Sequence, residues 1–257
     1  MGDLTAEVAI SDAHYRSSAE YERSSKQFLR SMVPPAPKLN ILDVGCGTGL
    51  NSSHFAKAGH RVYGVDISPV AIERYCEHGF DGSVVDLDRG PLPVPSAAFD
   101  LVYASEVIEH CKDTSGFLRE LHRALKPGGK LLLSTPNSAF WPYRLLALWG
   151  RTPTECQHPG HIRFFSKRGL TRAIAEAGFT VTEVAARHMY MIVGAALGDR
   201  LAPVLYLAGF RSEPRFATGD HFWQLSRFAR RASALWADTL LIIAEKPVAP
   251  RAAEPQI

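Results

Sequence analysis

The sequence predicts an α/β protein built on a doubly wound, mostly parallel sheet of seven strands. Three observations lead there. Short apolar runs without hydrophobic alternation recur between residues 39 and 245, as expected of strands buried on both faces. Helical stretches separate these runs, the pattern of βαβ units. The first run, Ile41-Leu42-Asp43-Val44, leads straight into glycines at 45, 47 and 49, so that a strand ends in a tight turn.

Taken in order, residues 12–32 read as a helix, with Tyr15, Ala19, Phe28 and Met32 along one side, closed by Pro34-Pro35-Ala36-Pro37. Strand 1 is Leu39–Val44, followed by a helix from Leu50 to Ala58 that stops at Gly59. Strand 2 is Arg61–Asp66. Ser68 then caps a helix that has Pro69 at its first position and ends near Glu77. Strand 3 is Gly82–Asp86, and Pro91 to Pro95 form a loop. Strand 4 is Phe99–Ala104. A helix over Ser115–Leu125 is stopped by Pro127-Gly128-Gly129, and strand 5 is Lys130–Thr135. An apolar helix with Trp141, Tyr143, Leu145, Leu146, Leu148 and Trp149 follows Pro136-Asn137. Ser166–Ala177 is the last core helix, with strand 6 at Phe179–Ala186 and strand 7 at Thr239–Glu245.

The interval between strands 6 and 7 is too long for a plain loop in a compact domain. It reads as a mostly helical lid. At about 100° per residue, Phe222, Leu225, Phe228, Ala229, Ala232, Leu235 and Trp236 fall in one arc, opposite Arg227, Arg230 and Arg231. The favoured reading of 221–236 is a lid helix with a solvated basic face; the sharper one is peripheral contact with an anionic membrane. The expected organisation is an N-terminal helical segment (1–38), a core (39–187), a helical insertion (188–237), a final core strand (238–247) and a disordered tail (248–257).

Composition fits one sizeable core rather than two equal domains: 257 residues, 46% hydrophobic and 21% charged. A net charge of +3 neither supports nor excludes nucleic acid. No basic domain and no Asn/Asp-Pro-Pro-Tyr motif after strand 4 mark it as a partner. Cys46, Cys76, Cys111 and Cys156 form no CxxC pair, which argues against a zinc site or disulfide framework and for a cytoplasmic location. Residues 1–10 carry no apolar signal region, and Met189 to Phe210 is broken by Gly198-Asp199-Arg200 and Pro203, a poor membrane span.

The glycine turn presents bare backbone at a helix start, which suits a nucleotide-like ligand. A dinucleotide site wants G-x-G-x-x-G, but Leu50 stands at the last glycine's place. Asp43 before the turn suits a ligand with a positive amino group. Asp66 ends strand 2, where it can accept from ribose hydroxyls, and Asp86 ends strand 3, where it can meet an adenine amino group. Ribose, adenine and a zwitterionic amino-acid tail together describe S-adenosylmethionine.

With Leu42-Asp43-Val44-Gly45-Cys46-Gly47-Thr48-Gly49, Val62 to Ser68, Phe99-Asp100-Leu101-Val102, Glu106-Val107-Ile108-Glu109-His110 and Leu125 to Leu131, the chain resembles class I S-adenosylmethionine-dependent methyltransferases. It is most similar to the group that includes ubiquinone-biosynthesis O-methyltransferases and MetW-like proteins. The resemblance implies a Rossmann-like sheet whose seventh strand runs antiparallel. It implies that Asp43, Gly45, Cys46, Gly47 and Gly49 surround the methionine tail of the cofactor. Asp66 and Ile67 would hold the ribose and flank the adenine, Asp86 and Leu87 reach the adenine, and Ser105 and Glu106 line the cofactor after strand 4. The activity expected is methyl transfer to a small-molecule or lipid-linked acceptor, at oxygen, with S-adenosylhomocysteine as second product; the lipid-linked alternative comes from the apolar stretch 191–210 and the segment 221–236 rather than from the resemblance. A non-catalytic partner protein of the same fold, an N- or C-methyltransferase and a nicotinamide oxidoreductase are the competing readings.

A hydroxyl acceptor must lose a proton. His110, just beyond strand 4, is the leading base, against a surface or capping role. His158 and His161, in Gln157-His158-Pro159-Gly160-His161-Ile162-Arg163, belong on the same side, with Arg163 as an acceptor contact. A metal at His158 and His161 is set aside for want of nearby acids or cysteines. The alternative for that segment is a loop pinned by Phe164 and Phe165. Glu109 reads as a supporting or surface acid. Trp141 and Tyr143 read as core, or as a wall of the acceptor pocket.

Overall fold

The computed structural model describes residues 38–150, 160–188 and 237–248, the strands within 191–229, and positions 8, 9, 33 and 152. The expected helix over 12–32 and the tail beyond 248 lie outside the described residues. The main sheet takes its strands from β1 (Asn40–Val44), β2 (Arg61–Asp66), β3 (Asp81–Val84), β4 (Phe99–Ser105), β5 (Leu125–Pro136), β6 (Thr180–His188), β10 (Phe228–Ala229) and β11 (Ala237–Glu245). Their order is β10-β6-β11-β5-β4-β1-β2-β3. β11, the seventh strand of the sequence reading, is antiparallel to β5 and β6. β1 through β5 pair in parallel.

Side chains alternate across the sheet, and both faces are covered. Leu42, Val44, Val102, Ala104, Leu131, Leu133, Leu240 and Ile242 share one core with Phe117, Leu118, Leu121, Leu170 and Ile174. The last five lie on helices α3 (Thr114–Ala124) and α5 (Lys167–Glu176). Ile41, Leu101, Tyr103, Leu132 and Leu241 pack on the other face with Phe55 of α1 (Leu50–Lys57). Each strand therefore needs apolar residues at successive positions, which is why the runs lack alternation.

Side-chain caps mark three of the helix starts, the first at Ser68 as expected. Ser68 Oγ accepts from Ala71 N at 3.0 Å at the start of α2 (Pro69–Glu77). Asp113 Oδ1 accepts from Gly116 N at 2.8 Å for α3. Ser166 Oγ accepts from Gly169 N at 3.2 Å for α5. These bonds satisfy amide donors that a helix leaves unpaired. The apolar helix α4 spans Trp141–Leu148.

The helical insertion is corrected. Its described residues form β7 (Met191–Gly194), β8 (Arg211–Ala217) and β9 (Asp220–Ser226), a three-stranded antiparallel sheet in the order β7-β9-β8, while β10 extends the main sheet beside β6. The expected helix over 221–236 is thus strand at 221–226 and 228–229, so its apolar and basic arcs do not form there; residues 230–236 lie outside the described residues. Periodicity alone cannot separate a short apolar helix from a strand. The aromatic Phe222-Trp223 pair and the two residues, Thr218-Gly219, between paired Ala217 and Asp220 favour a hairpin. Among the described residues no helix is long and apolar enough to cross a membrane.

Candidate active site

The chain runs from β1 toward one edge of the sheet and from β4 toward the other, so the strand order reverses between these two neighbours. Open α/β sheets bind ligands outside the carboxyl ends of strands at such a reversal. Those ends carry the glycine turn 45–49 and the segment 105–113. The two touch: a Cβ on Gly45 would lie 2.6 Å from Val107 Cγ2.

Gly45, Gly47 and Gly49 have φ of 68°, 55° and 95°, left-handed values that suit glycine. Gly45 and Cys46 donate their amides to the Val65 carbonyl at 2.8 and 3.1 Å. Gly47 N donates to Asp66 Oδ2 at 2.9 Å, and Ser68 N donates to Asp66 Oδ1 at 3.0 Å. The Asp66 carboxylate therefore ties the turn to the start of α2, a role that its place in the sequence does not reveal. Ile67 follows it, half-buried. Cys46 turns into an apolar cluster with Ile72 and Tyr75. Asp43 is fully buried; its Oδ2 accepts from Ser52 Oγ at 2.7 Å, and Ser52 Oγ lies 2.8 Å from the Tyr75 hydroxyl. Burial first, and then the Asp43 carboxylate, push the Tyr75 phenol up, so it stays a neutral hydrogen-bonding group.

Asp86 lies two residues beyond β3 rather than at its end, because β3 stops at Val84. Its Oδ1 accepts from Asp88 N at 3.0 Å, and its Oδ2 pairs with Arg89 Nε at 3.1 Å. Leu87 packs against the core. Asp88, which no sequence motif singles out, accepts from Lys112 N and Asp113 N at 3.0 Å each. It straps the loop after β3 to the segment after β4.

Glu106 sits at the end of β4 with φ 57°, a left-handed value for a residue with a side chain. Such a conformation costs about 1–3 kcal/mol and persists only where its surroundings fix it. Its amide donates to the Ser134 carbonyl at 3.0 Å, and Ser134 Oγ donates to its Oε1 at 2.8 Å. Ser105 Oγ lies 3.0 Å from Ser134 Oγ.

Glu109 is not a surface acid: it is 1% exposed. Its Oε2 accepts from Thr135 Oγ1 at 3.0 Å, and its main-chain carbonyl accepts from the amides of Ile162 and Arg163 at 3.0 Å each. His110 Nδ1 lies 2.8 Å from the Gly160 carbonyl. A carbonyl only accepts, so Nδ1 carries the proton and Nε2 is the basic nitrogen of the neutral ring. The His161 ring meets that of His110 edge-on, centroids 4.9 Å apart, and His161 Nε2 lies 4.0 Å from Glu109 Oε1. Two of the predicted histidines thus converge on an acid that sequence alone leaves at the periphery. The contiguous run Glu106-Val-Ile-Glu-His, beginning as β4 ends, is the signal for it.

His158 lies outside the described residues. Exposed Arg163 donates to the Lys112 carbonyl. Phe165 anchors its segment through its carbonyl, which accepts from Ser138 N at 2.9 Å and Ser138 Oγ at 2.8 Å. Phe164 is exposed, so the pinning expected of both phenylalanines falls to Phe165 alone. On α4, Trp141 and Tyr143 are half-buried around buried Phe140, with ring centroids 6.4 and 5.6 Å from it. The helix's far end is not core: Leu148 and Trp149 are 79% and 73% exposed.

Comparison with known proteins bears on this geometry. Residues 13–184 match the methyltransferase domain family. A malonyl-[acyl-carrier protein] O-methyltransferase from Serratia marcescens is 34% identical over 143 residues, 52% of this chain and 54% of that protein. A ubiquinone biosynthesis O-methyltransferase from Xanthomonas oryzae pv. oryzae is 38% identical over 102 residues, 38% of this chain and 43% of that protein. The chain thus spans about half the length of these curated relatives. The crystal structure of an S-adenosylmethionine-dependent methyltransferase from Mesorhizobium loti superposes with a TM-score of 0.57 at 20% identity, covering 90% of this chain and 99% of that one, and shares the fold. The glycine turn and acids at the strand reversal, the antiparallel last strand and the family match across the core lead to one conclusion: the chain belongs to the class I S-adenosylmethionine-dependent methyltransferases.

Proposed function

We propose that this chain is an enzyme that transfers a methyl group from S-adenosylmethionine to an oxygen of a small-molecule or lipid-linked acceptor, leaving S-adenosylhomocysteine. The observation that carries this reading is the left-handed glycine turn held by Asp66 beside the carboxyl end of β4. The residue types fit the cofactor: bare backbone at a helix start, an acid ending β2, another two residues past β3, and an ordered polar pair where β4 ends. Gly45, Cys46, Gly47 and Gly49 would hold the methionine tail, with buried Asp43 supporting the turn from β1. Asp66 and Ile67 would hold the ribose, Asp86 and Leu87 the adenine, and Ser105 and Glu106 would line the cofactor. When bound, its sulfonium supplies an electrophilic methyl group.

The chain's own contribution is position and proton removal. The cluster of Glu109, His110 and His161 is where the acceptor hydroxyl loses its proton. Trp141, Tyr143 and Arg163 flank the approach on the segments tied to that cluster. Oxygen is favoured because both relatives described above are named O-methyltransferases. Exposed Leu148 and Trp149 at the end of α4 support an acceptor with an apolar portion.

The test is incubation with methyl-labelled S-adenosylmethionine and a panel of malonyl thioesters, catechols and amines. Label entering ester or ether products supports the reading. Label entering only amines would transfer it to nitrogen. Stoichiometric cofactor binding without label transfer to any acceptor would favour a non-catalytic binding protein.

A further inference from the structure

The peptide unit joining Lys112 to Asp113 is gripped at both ends. Its N–H, on Asp113, donates to Asp88 Oδ1 at 3.0 Å, and its C=O, on Lys112, accepts from the Arg163 guanidinium. The other Asp88 oxygen accepts from the Lys112 amide at 3.0 Å. We propose that Asp88 and Arg163 are positioning residues that couple the adenine end of the cofactor site to the acceptor end, so that the acceptor-side histidines are set when the adenine is seated. The inference rests on the methyl-transfer reading.

Spacing argues first. Each member of the grip stands two residues beyond a candidate site residue: Asp88 follows Asp86, Lys112 follows His110, and Arg163 follows His161. Two residues span at most about 7 Å of chain, so a shift at one position is felt at the other. Asp88 N also donates to Asp86 Oδ1 at 3.0 Å, and Arg89 N donates to the Asp86 carbonyl at 3.2 Å, so residues 86–89 move as one turn.

Connectivity argues second. The grip joins the loop after β3, the segment after β4 and the segment 160–165. The amides of Ile162 and Arg163 donate to the Glu109 carbonyl at 3.0 Å each, and His110 Nδ1 donates to the Gly160 carbonyl at 2.8 Å. A guanidinium held on the 112–113 peptide therefore carries with it the His161 ring, which meets that of His110 edge-on. On its other side the gripped peptide is anchored, because Asp113 Oδ1 caps α3, whose Phe117, Leu118 and Leu121 lie in the core.

Chemistry argues third. Both ends of the peptide unit meet an ionised group, and charge-assisted hydrogen bonds are stronger than neutral ones and polarise one another along a chain. Lys112, Asp113 and Arg163 are exposed and Asp88 is half-buried, so core packing does not enforce the alignment. Weakly packed segments of this kind are the ones a ligand can order. The coupling is reciprocal: an acceptor seated beside His110 and His161 tightens the cofactor by the factor by which the cofactor tightens the acceptor.

The experiment is hydrogen–deuterium exchange on the full chain with and without saturating S-adenosylhomocysteine, with calorimetry recording binding. The Ile162 and Arg163 amides exchange only when their bonds to Glu109 open. The expected result is that the ligand slows exchange over 160–165 by roughly tenfold, within the usual coupling range of about 5- to 150-fold. Asp88→Ala and Arg163→Met should bind the ligand and keep its protection at the glycine turn 45–49, yet lose most of the slowing over 160–165. Asp88→Asn, which keeps one acceptor oxygen, and Arg163→Lys, which keeps a donor, should fall between. If Asp88→Ala does not fold, Asp88→Asn and Arg163→Met carry the same test. A mere staple would leave the ratio of exchange with and without ligand unchanged in every variant. That unchanged ratio, or a parent that binds the ligand with no slowing over 160–165, would overturn the coupling and leave the methyl-transfer reading standing. A parent that binds no S-adenosylhomocysteine defeats that reading, and the coupling with it.

Discussion

Gly45 answers to two constraints at once, and both are local. Its φ of 68° is strained for any residue with a side chain, and an added methyl would meet Val107 at 2.6 Å. Gly45→Ala should therefore destabilise the chain by about 1–3 kcal/mol, read by urea denaturation, and should push apart the two loops at the strand reversal. A variant of wild-type stability would contradict this. At this scale much of the local backbone geometry of the candidate site is legible in the sequence. Glycines at alternate positions after an apolar run mark a strand that ends in a tight turn, and Asp66 can be placed because it ends a strand. Glu109 is not legible as a buried group, because nothing in a linear chain tells that His161 and Thr135 will close over it. Asp88 escapes notice for the same reason: its partners, Lys112 and Asp113, lie beyond the next strand.

Among elements, α3 shows how polar contacts fix a loop that has no regular structure. Arg123 donates to the carbonyls of Leu92 and Val94 at 3.0 and 2.9 Å, and Leu92 N donates to Glu120 Oε2 at 2.9 Å. Glu120 and Arg123 also pair on the helix at 2.9 Å. The hydrogen bond from Arg123 holds the Glu120 carboxyl below its ordinary value. A depressed carboxylate stabilises the fold above its unfolded pKa, about 4.3, and that contribution is lost as pH falls through the folded value. Glu120→Gln should cost up to about 1 kcal/mol at neutral pH, since the pair is partly exposed. The gap between variant and parent should close as pH drops below about 4, which denaturation at several pH values would show; a pH-independent gap would refute the assignment. Elements with both caps and a buried face, such as α2 and α5, are readable in the sequence. The interval after β6 is not, because its short apolar stretches satisfy helical and extended spacing alike and only strand pairing decides between them.

For the whole molecule, the parallel sheet follows from the rhythm of apolar runs and helices, a pattern set by burial on both faces, whereas the antiparallel direction of the seventh strand is carried by the family resemblance alone. The acceptor does not follow, because it depends on how segments far apart in sequence meet around His110 and His161. A ligand that binds only the folded chain stabilises all of it. S-adenosylhomocysteine at about 100 times its dissociation constant should add roughly 2.7 kcal/mol and raise the melting temperature by roughly 5–10 °C. No shift at saturating ligand would count against the cofactor site.

The most direct test is calorimetric titration of S-adenosylhomocysteine into the chain and into its Asp66→Asn variant, with circular dichroism confirming that the variant is folded. The predicted result is one saturable site in the parent, weakened by about tenfold or more in the variant through loss of one charged, bidentate acceptor worth about 1.5–3 kcal/mol. A parent that shows no saturable binding, or a folded variant that binds as tightly as the parent, would contradict it.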